Sequence, residues 1–193
     1  TNTHEVGVDE GDILETDGIR IFRASSNQLD VIDVETLGVT DSVILPDGTH
    51  NLVLHDGQLA VVSNLWQSWD TTHIRVFTVT EDGRIELQST ETLDGRTVGV
   101  RSVNGPLRIL LETSNRDQLD FVSPWEDNLT EEEALEHNIE QIERSTIDQW
   151  MPRVFQDGVT NSALNCSQIA ISEQSPTAQT TTWVATRDLS LIH

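Results

Sequence analysis

The sequence predicts an all-β chain broken by one helix, and three observations predict it. Short apolar segments recur at a spacing of about 8–12 residues from Thr16 to about Thr113. Asp-Gly and Asn-Gly pairs punctuate them, supplying the positive φ that tight hairpin turns need. A single run with helical period, opening on Thr130, then interrupts the pattern. Leu, Ile, Val and Phe make up about 28 % of the chain, above the roughly 20 % below which disorder is expected. A packed core is therefore expected.

The elements follow in order. Asp17-Gly18 leads into a strand at Ile19–Arg23, and Asn27-Gln28 turns into Leu29–Val34. Ser42–Leu45 is stopped by Pro46-Asp47-Gly48. His55-Asp56-Gly57 joins Asn51–Leu54 to Gln58–Ser63, Glu81-Asp82-Gly83 joins His73–Val79 to Arg84–Leu87, and Asn104-Gly105 joins Val98–Val103 to Leu107–Leu111. The hairpin around Asp56-Gly57 aligns with the one around Asn104-Gly105, apolar positions coinciding on both sides of the turn. Asp17-Gly18, Asp56-Gly57 and Asn104-Gly105 lie 39 and 48 residues apart. A period of about 40–50 residues with four strands per unit is the pattern of a β-propeller. The expected architecture is a partial β-propeller of about three four-stranded antiparallel blades within one domain, 1–193.

The helix is expected as an insertion in the third blade, spanning 126–152 with its core near 130–151. Thr130 followed by Glu133 is a capping box, and Glu131, Glu132 and Glu133 suit the positive end of the helix dipole. Leu135, Ile139, Ile142, Ile147 and Trp150 recur at helical intervals and Pro152 ends the run. Such a stripe is expected to pack on the edge of a sheet. Cys166–Ile171 and Thr180–Thr186 are then expected as the closing strands of the third blade.

Charge and residue types narrow the function. Eleven Arg, no Lys and 33 Asp+Glu give a formal charge of −22. Such a surface repels phosphate, so nucleic acid is excluded as a partner. No apolar run is long enough to span a bilayer. The acidity has three readings: solubility, adaptation to high salt, and divalent-cation binding by clustered carboxylates. Asp9, Glu10, Asp12 and Asp17 form the densest such cluster outside the helix and make Ca²⁺ the one cofactor worth considering. The competing reading has these side chains accepting backbone N–H bonds in a tight turn. Six scattered His form no metal-ligand spacing, and Cys166, the only cysteine, has no neighbouring base to activate it. No sequence motif of a hydrolase or a phosphate-binding loop is present, so no catalytic residue is assigned. Trp66 and Trp69, three apart in a polar loop, are the candidate binding surface. They form either a platform for a sugar or peptide or a cover over the apolar edge between blades.

The opening Thr1-Asn2-Thr3-His4-Glu5-Val6-Gly7-Val8-Asp9-Glu10-Gly11-Asp12-Ile13-Leu14-Glu15-Thr16-Asp17-Gly18 resembles the start of a secreted, WD40-like C-terminal β-propeller family of bacteria and archaea. Glu15 stands where that family commonly has Lys, and His4 where it commonly has Gln. Trp150–Asp157 and the Thr-rich stretch after Cys166 also resemble it. The resemblance implies an exported propeller longer than this chain, with further blades or a partner covering its last edge. The expected role is a non-catalytic, extracytoplasmic module that binds a protein or polysaccharide of the cell envelope. The alternative is a secreted hydrolase with its site at the channel of a complete ring.

Overall fold

The computed structural model describes residues 8–114, 119–125, 127–156, 158–170 and 180–189. Thr1–Gly7 of the opening motif, with His4, fall outside them, as do Ile171, His193 and the Cys166 side chain.

Three antiparallel sheets fan out side by side. The first is a meander of β2 (Leu14–Thr16), β3 (Arg20–Ala24), β4 (Gln28–Asp33) and β5 (Val39–Ile44), in that order. The second runs β6 (Gly48–His55), β7 (Gln58–Leu65), β8 (Thr71–Val79), β9 (Ile85–Asp94). It is extended past β9 by β12 (Arg153–Gln156) and β13 (Val159–Ser162), giving six strands. The third holds β1 (Val8–Glu10), β10 (Arg96–Val103), β11 (Leu107–Ser114) and β14 (Thr180–Arg187).

The middle sheet is buried on both faces, which separates this fan from a two-layer sandwich. Leu52, Leu59, Val61, Phe77 and Ile85 pack against Phe22, Ala24, Leu29, Val31 and Leu45 of the first sheet. Val53, Ala60, Val62, Ile74, Val76 and Leu93 point the other way and pack against Val100, Leu107, Ile109, Leu111, Trp183 and Ala185 of the third. Side chains alternate across a strand, so a strand covered on both faces needs apolar residues at every position. That accounts for the unbroken run Leu59-Ala60-Val61-Val62, each fully buried.

The expected turns form. Asp56 and Gly57 have φ of 45° and 75°, and Asn104 and Gly105 have 52° and 110°, the paired positive values of a type I′ hairpin. Polar ties join the sheets. Arg20 donates to the Thr80 carbonyl at 2.6 Å, the Ile85 amide donates to Asp41, and Arg187 holds both oxygens of Glu91 at 2.6 Å.

Four expectations need correction around the third blade. The excursion between β11 and β14 carries more than a helix. It contains α1 (Glu131–Arg144) and a 3₁₀ turn at Ile147–Trp150, and it then builds the β12–β13 hairpin onto the neighbouring sheet. Arg153 secures that hairpin, donating from its backbone amide and from Nε to Asp94 at 2.9 and 2.8 Å. Cys166–Gln168 is a 3₁₀ turn rather than a strand, because the Gln168 side chain accepts the Asn165 amide and closes the backbone locally. The place of a fourth strand in the third sheet is taken by β1, from the other end of the chain. Finally, α1 does not lay its apolar stripe on a sheet: only Ala134 is buried, whereas Leu135, Ile139 and Ile142 are exposed. The capping box itself is present, with the Glu133 amide donating to Thr130 Oγ1 and the Thr130 amide to Glu133 Oε2.

Candidate functional site

The inner ends of the three sheets are stitched by one segment, 8–16. Val8–Glu10 pairs with Val103–Arg101 on the inner edge of β10. The Gly11 amide donates to the Val100 carbonyl, and Asp12 exchanges two backbone bonds with Leu52 of β6. Leu14–Thr16 then becomes the inner strand of the first sheet. A Cβ on Gly11 would lie 2.9 Å from Val100 Cβ and 3.2 Å from Asn51 Cβ, so the crossing needs glycine. Beside it, a bulge between Thr97 and Gly99 bends β10 away. The result is a cavity of about 270 Å³ lined in part by Glu10, Gly11, Asn51, Thr97, Val98 and Arg101. The Glu10 carboxylate meets the Arg101 guanidinium at 2.6 Å there.

Glu15 is the residue that sequence reasoning missed. Its side chain is 7 % exposed and its Oε1 has no hydrogen-bond partner among the described residues. Burial pushes its carboxyl up to about 7, with repulsion from Asp9 and Asp12 adding to the rise. On β2 the polarity is inverted: Ile13 and Leu14 are exposed while Glu15 points inward beside Phe22, its cross-strand partner. The only signal in the sequence was that departure from the common Lys.

Three of the four carboxylates considered for Ca²⁺ are engaged in other bonds. Glu10 pairs with Arg101, and Asp12 Oδ1 accepts the Ile13 amide. Asp17 accepts the Ile19 and Arg20 amides and the Arg20 guanidinium. These bonds outweigh its partial burial and hold its pKa below the usual carboxylate value. Among the described residues no three His, Cys, Asp or Glu side chains converge as a metal would need.

Trp66 and Trp69 stand on the β7–β8 loop, 49 % and 65 % exposed. Four backbone bonds fix that loop: Trp66 to the Asp47 carbonyl, Ser68 to Leu65, Thr71 to Ser68, and Gly95 to Asp70. It therefore shares one end of the fan with the β5–β6 and β9–β10 connections.

His50, His73 and His137 serve the framework. His50 donates to the Ser26 carbonyl at 3.2 Å and accepts from Ser63 at 2.8 Å, joining the first two sheets. Burial keeps its imidazole below the ordinary value. This Ser–His pair is sealed, with Ser63 1 % and His50 4 % exposed, so no substrate reaches it. His73 lies between Thr71 and Thr92, and His137 bonds the Asp120 carbonyl.

Sheets arranged side by side, each covering the face of the next, with their inner strands gathered on one segment, define a propeller module. The chain belongs to the beta propeller domain family, whose model matches residues 1–191. No curated protein and no solved structure matches it.

Proposed function

We propose that this chain is an extracytoplasmic binding module that offers the Trp66–Trp69 loop to a protein or polysaccharide of the cell envelope. The observation that carries it is the pair of exposed indoles on a loop fixed by backbone bonds. Aromatic rings held in place by the scaffold give contact area at little conformational cost. No cofactor is assigned, so binding is expected to survive EDTA. The outward faces of the first and third sheets, with Ile44, Leu110 and Val184 exposed, suit a further blade or a partner's sheet. The test is retention on insoluble chitin, cellulose and peptidoglycan, and binding to isolated envelope proteins, by wild type and by Trp66→Ala/Trp69→Ala. The reading predicts retention on one of these and its loss in the variant with an unchanged melting temperature. Equal retention by both, or unfolding of the variant, removes it.

A second reading, a hydrolase acting at the inner edge of the blades, is favoured by Glu15 alone. A carboxyl held near neutrality has the property of a general acid at pH 7. Its burial argues against access by substrate. Glycosidase and esterase assays with chromogenic substrates decide: activity abolished in Glu15→Gln supports this reading, and inactive wild type ends it.

A further inference from the structure

Helix α1 keeps its apolar residues off the face it packs. Ala134 is buried, the Asn138 side chain donates to the Val122 carbonyl at 3.0 Å and accepts the Val122 amide at 2.8 Å, and His137 bonds the Asp120 carbonyl at 3.1 Å. Residues 134, 137 and 138 thus share the side that meets the Asp120–Val122 segment. Leu135, Ile139 and Ile142 stand at i, i+4 and i+7, roughly a quarter turn away, and are 61 %, 46 % and 49 % exposed. An amphipathic helix ordinarily turns such a stripe inward. Here the two bonds between the Asn138 side-chain amide and the Val122 backbone fix the outward orientation.

Charge selects the occupant. α1 carries six Glu and one Arg, and Arg144 is paired with Glu140. Helical periodicity places Glu132, Glu136 and Glu143 along the solvent flank of the stripe. The chain has little to neutralise them. Eight of its Arg, among the described residues, already sit on a carboxylate. A second copy would bring like against like at −22 each, and an anionic bilayer repels such a helix. Sugars stack on aromatic rings, and the stripe has none.

We propose that α1 is a docking helix whose Leu135, Ile139 and Ile142 seat in an apolar groove of a separate protein, with Lys or Arg of that protein meeting Glu132, Glu136 and Glu143. This is helix-in-groove recognition read as i, i+4, i+7 anchors. It is independent of the Trp66–Trp69 loop, so either reading can fail alone.

The probe is a synthetic amphipathic peptide, Leu on one face and Lys on the other, titrated calorimetrically into the whole chain at 0.15 M NaCl. A Glu-for-Lys version of the peptide, anionic vesicles and sedimentation of the chain alone complete the set. The variant Leu135→Gln/Ile139→Gln/Ile142→Gln keeps every charge. The proposal predicts at least tenfold weaker binding of the cationic peptide by the variant, no binding of the acidic peptide or vesicles, a monomer in sedimentation, and an unchanged melting temperature. Equal affinity of wild type and variant means attraction by bulk charge and overturns it. A variant that melts several degrees lower shows the stripe packed within the molecule and overturns it. Dimerisation abolished by the variant assigns the stripe to a second copy and overturns it too.

Discussion

Replacing Glu15 with Gln should make the protein more stable at pH 8 and leave it unchanged near pH 4.5. The folded chain raises this carboxyl from 4.5 to about 7, by burial first and by Asp9 and Asp12 after it. Between those values the native state holds a proton that the unfolded chain has released. Stability contributed by the group is therefore complete below pH 4.5 and declines until about pH 7. The whole decline is worth about 3 kcal/mol unscreened, and nearer to 2 with solvent screening at the sheet edge. Gln has nearly the same shape and no charge, so the decline vanishes in the variant. A gain of roughly 2 kcal/mol in a chain of this length raises the melting temperature by about 4–8 °C. The assay is urea unfolding of both proteins from pH 4.5 to 8.5 at constant ionic strength, read as a difference curve. Asp17, Asp30 and Asp33, whose pKa values lie below normal, tilt both curves the opposite way and cancel in the difference. A flat difference, or a Gln variant less stable at pH 8, would refute the reasoning.

Other outcomes follow from the same structure. Leu37 is exposed and sits at φ 56°, where a left-handed Leu costs about 1 kcal/mol. Leu37→Asn should recover most of that in denaturant unfolding. His50 and His73 are held below their ordinary pKa by burial, so their share of stability is complete above pH 6.5 and fades as pH falls below it. His50→Gln should flatten that acid limb in thermal scans. Arg153→Ala should remove the guanidinium bonds to Asp94 and loosen the β12–β13 hairpin, seen as amide exchange at Val154 and Phe155 several-fold faster. Thr130→Ala removes the cap of α1, and exchange in its first turn should rise about fivefold.

What could be read in advance was local. Asp56-Gly57 and Asn104-Gly105 fix their own φ values, Thr130 and Glu133 cap each other across three residues, and the unbroken Leu59–Val62 run is a strand covered twice. Apart from the locally closed turn at Cys166–Gln168, the misses depend on more distant partners. Val8–Glu10 is too short to announce a strand, and its mate at Arg101–Val103 lies ~95 residues away. Arg153–Gln156 joins a sheet whose first four strands, β6–β9, end at Asp94. The side of α1 that packs is chosen by Val122 and Asp120 through polar bonds, so its apolar period pointed the wrong way. At the site, Trp66 and Trp69 were evident as residue types. Glu15 was hidden because the Leu14-Glu15-Thr16 alternation favours Leu14 as the buried member.

The stitching of three sheets by residues 8–16 has a consequence for biosynthesis. That stretch is synthesised before its docking strand β10, which follows only after most of a hundred further residues. The two following sheets must assemble while it waits, and its docking closes a loop of ~95 residues, a slow kind of step. A nascent chain arrested before Val103 should leave Val8–Glu10 open to protease. One arrested after Ser114 should protect it.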